Sequence, residues 1–203
     1  MGSIMIASQK ELLQNKTGEY LSIGITEGGK PRTSIGVPWE STAHAFNMRT
    51  PNVYLAPEDL LDEQIMALVC SHKVIGCYIW VALENYDFLT RFRDLQDLNI
   101  KNGDAIRNLD FLEALGDCGM LYLQNAKLPN LNTIVEMKKQ SKSSFRVLRC
   151  VGLDNCTVED LSAFETTDIH FSEFLIWNPQ SRNERDRWEA VSASTKRYYD
   201  FVE

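Results

Sequence analysis

A short pattern of apolar and polar positions recurs along the second half of the chain. Apolar residues fall at positions 1, 4 and 6 of a strand-like frame, and a polar or small residue follows at position 8. The frame fits residues 95–102, 118–125, 145–152 and 171–178. Three copies end on Asn, and the copy at 145–152 ends on Gly. Because alternate side chains of a strand point to opposite faces, positions 4 and 6 are predicted to enter a core.

Weaker copies of the frame occur at residues 74–79 and near the end of the chain. The position-4 residues are Cys77, Leu98, Leu121, Leu148, Phe174 and Tyr199, so the successive separations are 21, 23, 27, 26 and 25 residues. This period places the chain in the range of repeat proteins, and each repeat is predicted to be one structural unit.

Segments with a helical spacing of apolar residues separate the strand frames. They are residues 57–72, 85–93, 107–116, 131–141, 158–166 and 184–196. Pro57 followed by Glu58 and Asp59 is typical of a helix start, and Gly116 with Gly119 supplies a stop before the next strand. Strands and helices are therefore predicted to alternate.

The strand frame and its period resemble the leucine-rich-repeat family, and residues 108–131 look most like its bacterial members. The resemblance covers roughly residues 70–203. It implies an α/β fold, namely a right-handed solenoid of about five to six strand–helix repeats. Neighbouring repeats of this family stack their Asn side chains into a ladder. The family normally has this Asn one place later, at position 9, so an irregular solenoid is expected.

A doubly wound α/β domain is the competing interpretation, because alternating strands and helices also produce that fold. The strands of such a domain are buried on both faces and read as continuous apolar runs. Gln96, Asp97, Asn99 and Lys101 interrupt the frame at residues 95–102. This composition favours the solenoid.

Residues 1–56 break the period and are interpreted as an N-terminal cap on a solenoid of residues 57–203. Residues 21–26 and 32–37 flank a Glu-Gly-Gly-Lys-Pro sequence, which predicts a β-hairpin. Such a cap would cover the apolar end of the first repeat. The alternative is a second partner-binding element around Pro38, Trp39 and Phe46.

Composition and charge narrow the classes of function. The chain has 203 residues, 44% of them hydrophobic, and a formal net charge of −7 from 21 basic and 28 acidic residues. Nucleic acids and anionic membranes bind clustered Lys and Arg, so neither is expected as a partner. No long apolar stretch and no signal peptide is recognised, and a cytoplasmic protein is expected.

No motif for catalysis or for a cofactor stands out. The five cysteines form no Cys-x-x-Cys pair, and His44, His72 and His170 lie far apart in the sequence. The glycines form no phosphate-binding pattern. Cys77 and Cys150 occupy core positions of the frame, where a thiol is normally inert. We therefore expect no metal, no cofactor and no catalytic residue.

The outward positions of the strand frame define the predicted binding site. Stacked parallel strands place them on one concave surface, which is the usual contact surface of solenoids. Aromatic residues and Arg are enriched at interface hot spots, which favours a protein partner. The predicted partner-binding residues are Tyr78, Trp80, Asp97, Asn99, Lys101, Tyr122, Gln124, Arg149, Glu173 and Trp177.

Apolar residues share this predicted surface. Met120, Val147, Val151 and Leu175 also occupy outward positions. A surface of this composition leaves a large apolar patch unless another part of the chain covers it. The alternative is therefore that the N-terminal segment folds over the surface and buries its aromatic residues.

The expected function is a non-catalytic protein–protein interaction module. One specialised hypothesis is a bacterial immunity protein that neutralises a toxin domain, because an acidic binder suits a basic toxin. The other class is an enzyme with a dispersed site near His170, Glu173 and Arg182. A deep polar pocket with a perturbed acid or base would favour the enzyme, and a shallow aromatic face would favour binding.

Overall fold

A large parallel sheet is the main feature of the computed structural model. The structure describes residues 7–15, 19–30, 52–115, 118–140, 147–166, 169, 171–195 and 200–202. Ten strands occur in them: β1 (Tyr20–Ile25), β2 (Asn52–Leu55), β3 (Lys73–Ile79), β4 (Asp97–Ile100), β5 (Met120–Gln124), β6 (Lys127–Asn130), β7 (Cys150–Asp154), β8 (Thr157–Asp160), β9 (Glu173–Trp177) and β10 (Asp200–Val202). Strands β6 and β8 form a separate two-stranded sheet, and the other eight form the large sheet.

Strand order in the large sheet follows the chain almost throughout. From edge to edge it runs β2, β1, β3, β4, β5, β7, β9, β10, and each pairing is parallel. The order reverses once, at β1, which lies between β2 and β3, and doubly wound sheets have a switch point of this kind. From β3 to β10 the order follows the chain. The α/β class and the parallel strands predicted from the sequence are confirmed.

Helices connect the strands where the sequence predicted them. The α-helices of the described residues are α1 (Ala7–Asn15), α2 (Glu63–Cys70), α3 (Asn132–Gln140), α4 (Ser162–Thr166) and α5 (Arg182–Thr195). Short 3₁₀ helices occur at Glu27–Gly29, Pro57–Leu61, Asp87–Arg91 and Asp110–Leu115. Each predicted helical segment overlaps at least one of these helices, although the segment at 158–166 also contains most of β8.

The core lies on one face of the large sheet. Alternate strand residues such as Ile23 and Leu98 join the helices in one continuous buried cluster. All five α-helices contribute to it, and Met66, Ile134 and Trp188 are almost completely buried there. Burying an apolar side chain of this size stabilises the fold by roughly 1.5–3 kcal/mol. The opposite face of the sheet carries a different set of side chains.

The fourth strand frame lies three residues later than predicted. Leu121 pairs with Val151, and Val151 pairs with Phe174, so Val151 rather than Leu148 occupies position 4. Leu148 has a positive φ of 44° and precedes the strand. Apolar residues fit the frame equally at 145–152 and at 148–155, so the pattern alone could not choose between the two.

This shift corrects three predicted orientations. Val147 and Val151 were expected to face outward, yet both lie in the core cluster. Cys150 was expected in the core, yet it packs on the opposite face. The corrected frame ends on Asn155, so Asn and not Gly completes the fourth copy.

With the corrected frame, two neighbouring repeats match residue by residue. The buried residues Leu121, Leu128, Leu131 and Ile134 recur thirty positions later as Val151, Val158, Leu161 and Phe164. The helix starts match as well, because Asn130 Oδ1 accepts the Asn132 backbone N–H at 3.0 Å and Asp160 Oδ1 accepts that of Ser162 at 2.8 Å. The two units therefore have the same local structure.

Strand β1 does not form the predicted hairpin. Both of its edges are paired in parallel, with β2 and with β3, which leaves no edge for an antiparallel partner. The glycines of the expected turn follow β1 in a 3₁₀ turn, where Gly28 and Gly29 have φ values of 63° and 64° that other residues rarely adopt. The remainder of the predicted hairpin, at 32–37, and the element around Trp39 lie outside the described residues.

Candidate functional site

The face of the large sheet opposite the core carries most of the predicted site residues; we call it the outer face. Strand pairing arranges its side chains in three rows. The rows are Ser22, Gly76, Asp97, Met120, Cys150 and Glu173; then Tyr54, Gly24, Tyr78, Asn99, Tyr122, Gly152 and Leu175; and then Trp80, Lys101, Gln124, Asp154 and Trp177.

Nine of the ten predicted residues therefore share one face. The tenth, Arg149, directly precedes β7 at the rim formed by the amino ends of the strands. Its side chain is exposed, and its guanidinium lies 3.9 Å from the sulfur of Met120. The structure thus brings the predicted set together, with Arg149 at its margin.

Gly152 makes room for the indole ring of Trp177. A Cβ atom at Gly152 would lie 2.6 Å from Cζ3 of Trp177 and 3.1 Å from Cδ2 of Tyr122. The two rings lie 5.7 Å apart, and both residues are buried together with Cys150. This end of the outer face is a packed aromatic cluster.

Gly24 has the same role near the other end of the outer face. A Cβ atom there would lie 2.8 Å from both Trp80 Cζ3 and Tyr54 Cδ1. The Trp80 ring stacks on Tyr78 at 5.9 Å. The sequence analysis did not include Tyr54 or either glycine, although a glycine inside a strand indicates close approach of another group.

Asp154 organises the polar side chains beside Trp177. Its carboxylate accepts hydrogen bonds from Tyr122 Oη at 2.6 Å, Gln124 Nε2 at 2.7 Å and Asn178 Nδ2 at 2.9 Å. Asp154 is only 5% exposed, and a buried carboxylate requires donors of this kind. The sequence analysis missed Asp154 because the frame at 145–152 ended before it.

Asparagine follows four strands in turn. The residues at position 8 are Asn102, Asn125, Asn155 and Asn178. Asn102 and Asn125 donate to the backbone carbonyls of Trp80 and Lys101, and Asn155 donates to Asn125 Oδ1 at 2.7 Å. Asn125 and Asn155 also have positive φ values of 64° and 50°, which Asn tolerates better than most residues. These bonds tie neighbouring strand ends together, as expected of an Asn ladder.

The middle of the outer face is polar. Asn99 lies between Tyr78 and Tyr122 in the central row, with Asp97 and Lys101 on the same strand. The buried Oδ1 of Asn99 has no hydrogen-bond partner among the described residues. An unsatisfied buried acceptor of this kind costs about 1–3 kcal/mol.

Burial suppresses ionisation of the thiols. It raises the pKa of Cys150 to about 11 and those of Cys118 and Cys156 to about 12, and it raises the pKa of Cys77 as well. Nucleophilic cysteines react as thiolates, so burial disfavours the reactive form of these four thiols near neutral pH.

The structure does not bring together the residues of the alternative enzyme site. Glu173 begins β9, whereas Arg182 begins α5 beyond the opposite end of that strand. His44 and His170 lie outside the described residues. Within the described ranges, no three His, Cys, Asp or Glu side chains are placed to hold a metal ion. No helix in those ranges is both long and apolar enough to cross a membrane.

The fold and this site define an α/β protein whose parallel sheet has a core face and an outer face with ordered aromatic clusters. No family model matches the chain, and no curated protein or solved structure matches it.

Proposed function

We propose that this chain is a non-catalytic protein-binding module of the leucine-rich-repeat type, which contacts its partner with the outer face. The observation that carries the proposal is the division of the large sheet into two unlike faces. Most all-parallel sheets have helices on both faces. Here all five α-helices of the described residues contribute to the core cluster on one face. The other face carries aromatic and polar side chains, which suit a contact surface.

Three features support the solenoid in this proposal. Strand order follows the chain from β3 to β10, two consecutive units match at a spacing of thirty residues, and Asn side chains link neighbouring strand ends. In solenoids each repeat contacts only its neighbours, and the stacked strands form an extended binding surface.

The exposed aromatic residues supply the binding energy in this proposal. Tyr78 and Trp80 are partly exposed and stack on each other. Tyr122 and Trp177 are buried, and their packing on Gly152 and the bond to Asp154 fix the shape of the neighbouring surface. Trp and Tyr dominate interface hot spots. Side chains that are already fixed lose little conformational entropy on binding.

The test compares two double variants that make the same kinds of change on opposite sides of the molecule. Trp80→Ala with Arg149→Glu alters the outer face. Leu61→Ala with Arg185→Glu alters the helical side, where Leu61 is 85% exposed and Arg185 pairs with Glu189 at the surface. Circular dichroism and urea unfolding establish that both variants are folded.

Partners are captured from native lysate on the unaltered protein, purified, and titrated calorimetrically against all three forms. The outer-face variant is expected to bind at least about tenfold more weakly, since two hot-spot residues are altered. The Leu61/Arg185 variant is expected to bind as the unaltered protein does. Equal affinity of the two variants for every captured partner would contradict the proposal.

A further inference from the structure

The carboxylate of Asp154 fixes the orientation of two neighbouring side-chain amides. Gln124 and Asn178 each donate a side-chain N–H to the Asp154 carboxylate, at 2.7 and 2.9 Å. A carboxylate only accepts hydrogen bonds, so neither amide can turn its oxygen towards it. Oε1 of Gln124 and Oδ1 of Asn178 are therefore directed away from Asp154, and neither accepts a hydrogen bond from the described residues.

Asn155 adds a third uncommitted oxygen at the same strand ends. Its Nδ2 donates to Asn125 Oδ1 at 2.7 Å, and its backbone N–H donates to the carbonyl of Trp177 at 2.9 Å. Its Oδ1 accepts no hydrogen bond from the described residues, and its side chain is exposed. Gln124, Asn155 and Asn178 thus present three acceptors at the carboxyl ends of β5, β7 and β9.

Apolar surface adjoins these acceptors. Leu175 is partly exposed and packs against the Trp177 cluster, whereas Glu173 lies at the amino end of β9, in register with Cys150. The net charge of the chain is −7, which favours encounter with a basic protein. Arg149 lies at the other end of β7, about 16 Å from Asp154 at 3.3 Å per residue.

Lys101 is the basic side chain nearest to these acceptors in the strand pairing, since it follows β4 in the row of Gln124. Its charge opposes a cationic ligand there. This opposition provides a test, because reversing the charge of Lys101 must strengthen binding of a cation at this position.

We propose that this end of the outer face, formed by Gln124, Asp154, Asn155, Leu175 and Asn178, binds an arginine-bearing segment of a basic protein. A guanidinium has five N–H donors and no acceptor, so it complements three uncommitted oxygens. The aliphatic part of the arginine side chain packs on Leu175. The inference rests on the protein-binding function proposed above and narrows the chemistry of the partner.

The experiment uses a defined probe, the peptide acetyl-(Gly-Arg)₃-amide, titrated into the full ¹⁵N-labelled chain. The matched control peptide carries citrulline in place of arginine, which keeps the shape and removes the charge. The side-chain amide signals of Gln124, Asn155 and Asn178 and the indole signal of Trp177 are expected to shift with the arginine peptide only. Binding in the millimolar range is sufficient for this measurement.

Three variants test where the arginine peptide binds. Lys101→Glu is expected to tighten peptide binding roughly two- to fivefold, as one added ion pair does. Lys10→Glu makes the same change of net charge at an exposed position of α1, which contacts Tyr54 near the far edge of the sheet, and is expected to leave the affinity nearly unchanged. Gln124→Met removes one acceptor at similar size and is expected to weaken binding roughly two- to tenfold.

Several outcomes would overturn the inference. These are equal shifts with the citrulline peptide, shifts confined to the acidic residues at 58–63, equal tightening by Lys101→Glu and Lys10→Glu, or no shifts at millimolar peptide. The proposed function is judged separately. If a captured partner is lost from the Trp80/Arg149 variant while the peptide fails, protein binding stands and the arginine specificity does not.

Discussion

Single small residues decide how the outer face is built. A glycine inside a strand normally weakens it, because it has no side chain to pack. Gly152 and Gly24 instead leave space into which Trp177 and Trp80 fit. Each indole thereby lies across the neighbouring strand, and the aromatic side chains of two strands are held in one arrangement.

The substitution Gly152→Ala tests this packing. The added Cβ would lie 2.6 Å from Cζ3 of Trp177, so the indole must move. We expect the free energy of unfolding to fall by about 1–3 kcal/mol, as in other overpacked sites, and the near-ultraviolet circular dichroism of the aromatic residues to change.

Gly28→Ala provides the control for that substitution. Gly28 has a φ of 63° and no atom within 4 Å of a built Cβ, so alanine there strains only the backbone. It is expected to destabilise the fold by roughly 1 kcal/mol with no change in the aromatic spectrum. If the Gly152→Ala variant were as stable as the original chain and had the same spectrum, the proposed packing would be wrong.

The sequence could predict individual site residues only where the strand frame had a single solution. Asn99 and Tyr122 follow from unambiguous frames, and both lie on the outer face as expected. Asp154 was missed because two overlapping frames fit residues 145–155 equally well. The positive φ of Leu148 excludes it from the strand and thereby selects the later frame. A pattern of apolar residues carries no information about a backbone angle.

At the scale of elements, side chains of α5 complete the edge of the small sheet. The backbone N–H of Val158 in β8 donates to Glu184 Oε1 at 3.1 Å, and its carbonyl accepts from Arg187 at 2.7 Å. Glu184 and Arg187 also pair with each other at 3.1 Å. A carboxylate and a guanidinium thus take the place of a next strand, and a covered edge resists pairing with another chain.

Arg187→Ala is expected to lower the free energy of unfolding by about 1–3 kcal/mol, because it leaves the 5% exposed Glu184 and the Val158 carbonyl without this donor. Arg185→Ala on the same helix is the control. Arg185 makes a surface pair with Glu189, which contributes about 0.5 kcal/mol or less. Urea unfolding measures the free energy of unfolding of both variants. Equal losses of stability would refute the role of Arg187 at the β8 edge.

The alternation of elements was well predicted where the chain repeats. A period of apolar positions contains the information for β3, β4, β5, β7 and β9, because these strands bury the same positions. It did not predict β6 or β8, and the segment that contains β8 was predicted as helical. Residues 1–56 have no such period, and the hairpin expected there is wrong because β1 is paired on both edges by parallel strands. Local glycine-rich turns do not reveal which distant strand pairs with them.

At the scale of the whole molecule, the buried thiols predict loss of stability at high pH. Burial raises the pKa of Cys118 and Cys156 from 9.0 to about 12. Above pH 9.0 the unfolded chain therefore releases protons that the folded chain retains, and the free energy of unfolding falls as the pH approaches the folded-state values.

The measurement is urea unfolding near neutral pH and at about pH 11, for the unaltered chain and for Cys118→Ala with Cys156→Ala. The loss of stability between the two conditions is expected to be smaller in the variant, because two of the contributing thiols are gone. Tyr86 and Lys138 are present in both chains, so their contributions cancel in the comparison. An identical loss in both chains would contradict the contribution of these thiols.

The matched units that begin at Leu121 and at Val151 also mean that the size of the outer face comes in discrete steps. Each unit contributes one strand of the large sheet, one Asn at the strand end and one layer of core. An in-frame duplication of one unit would therefore widen the sheet by about 4.8 Å while reusing existing contacts. Duplication of the gene segment for one unit would therefore enlarge the contact surface of the protein. The added strand would pair through the same contacts that the existing strands make.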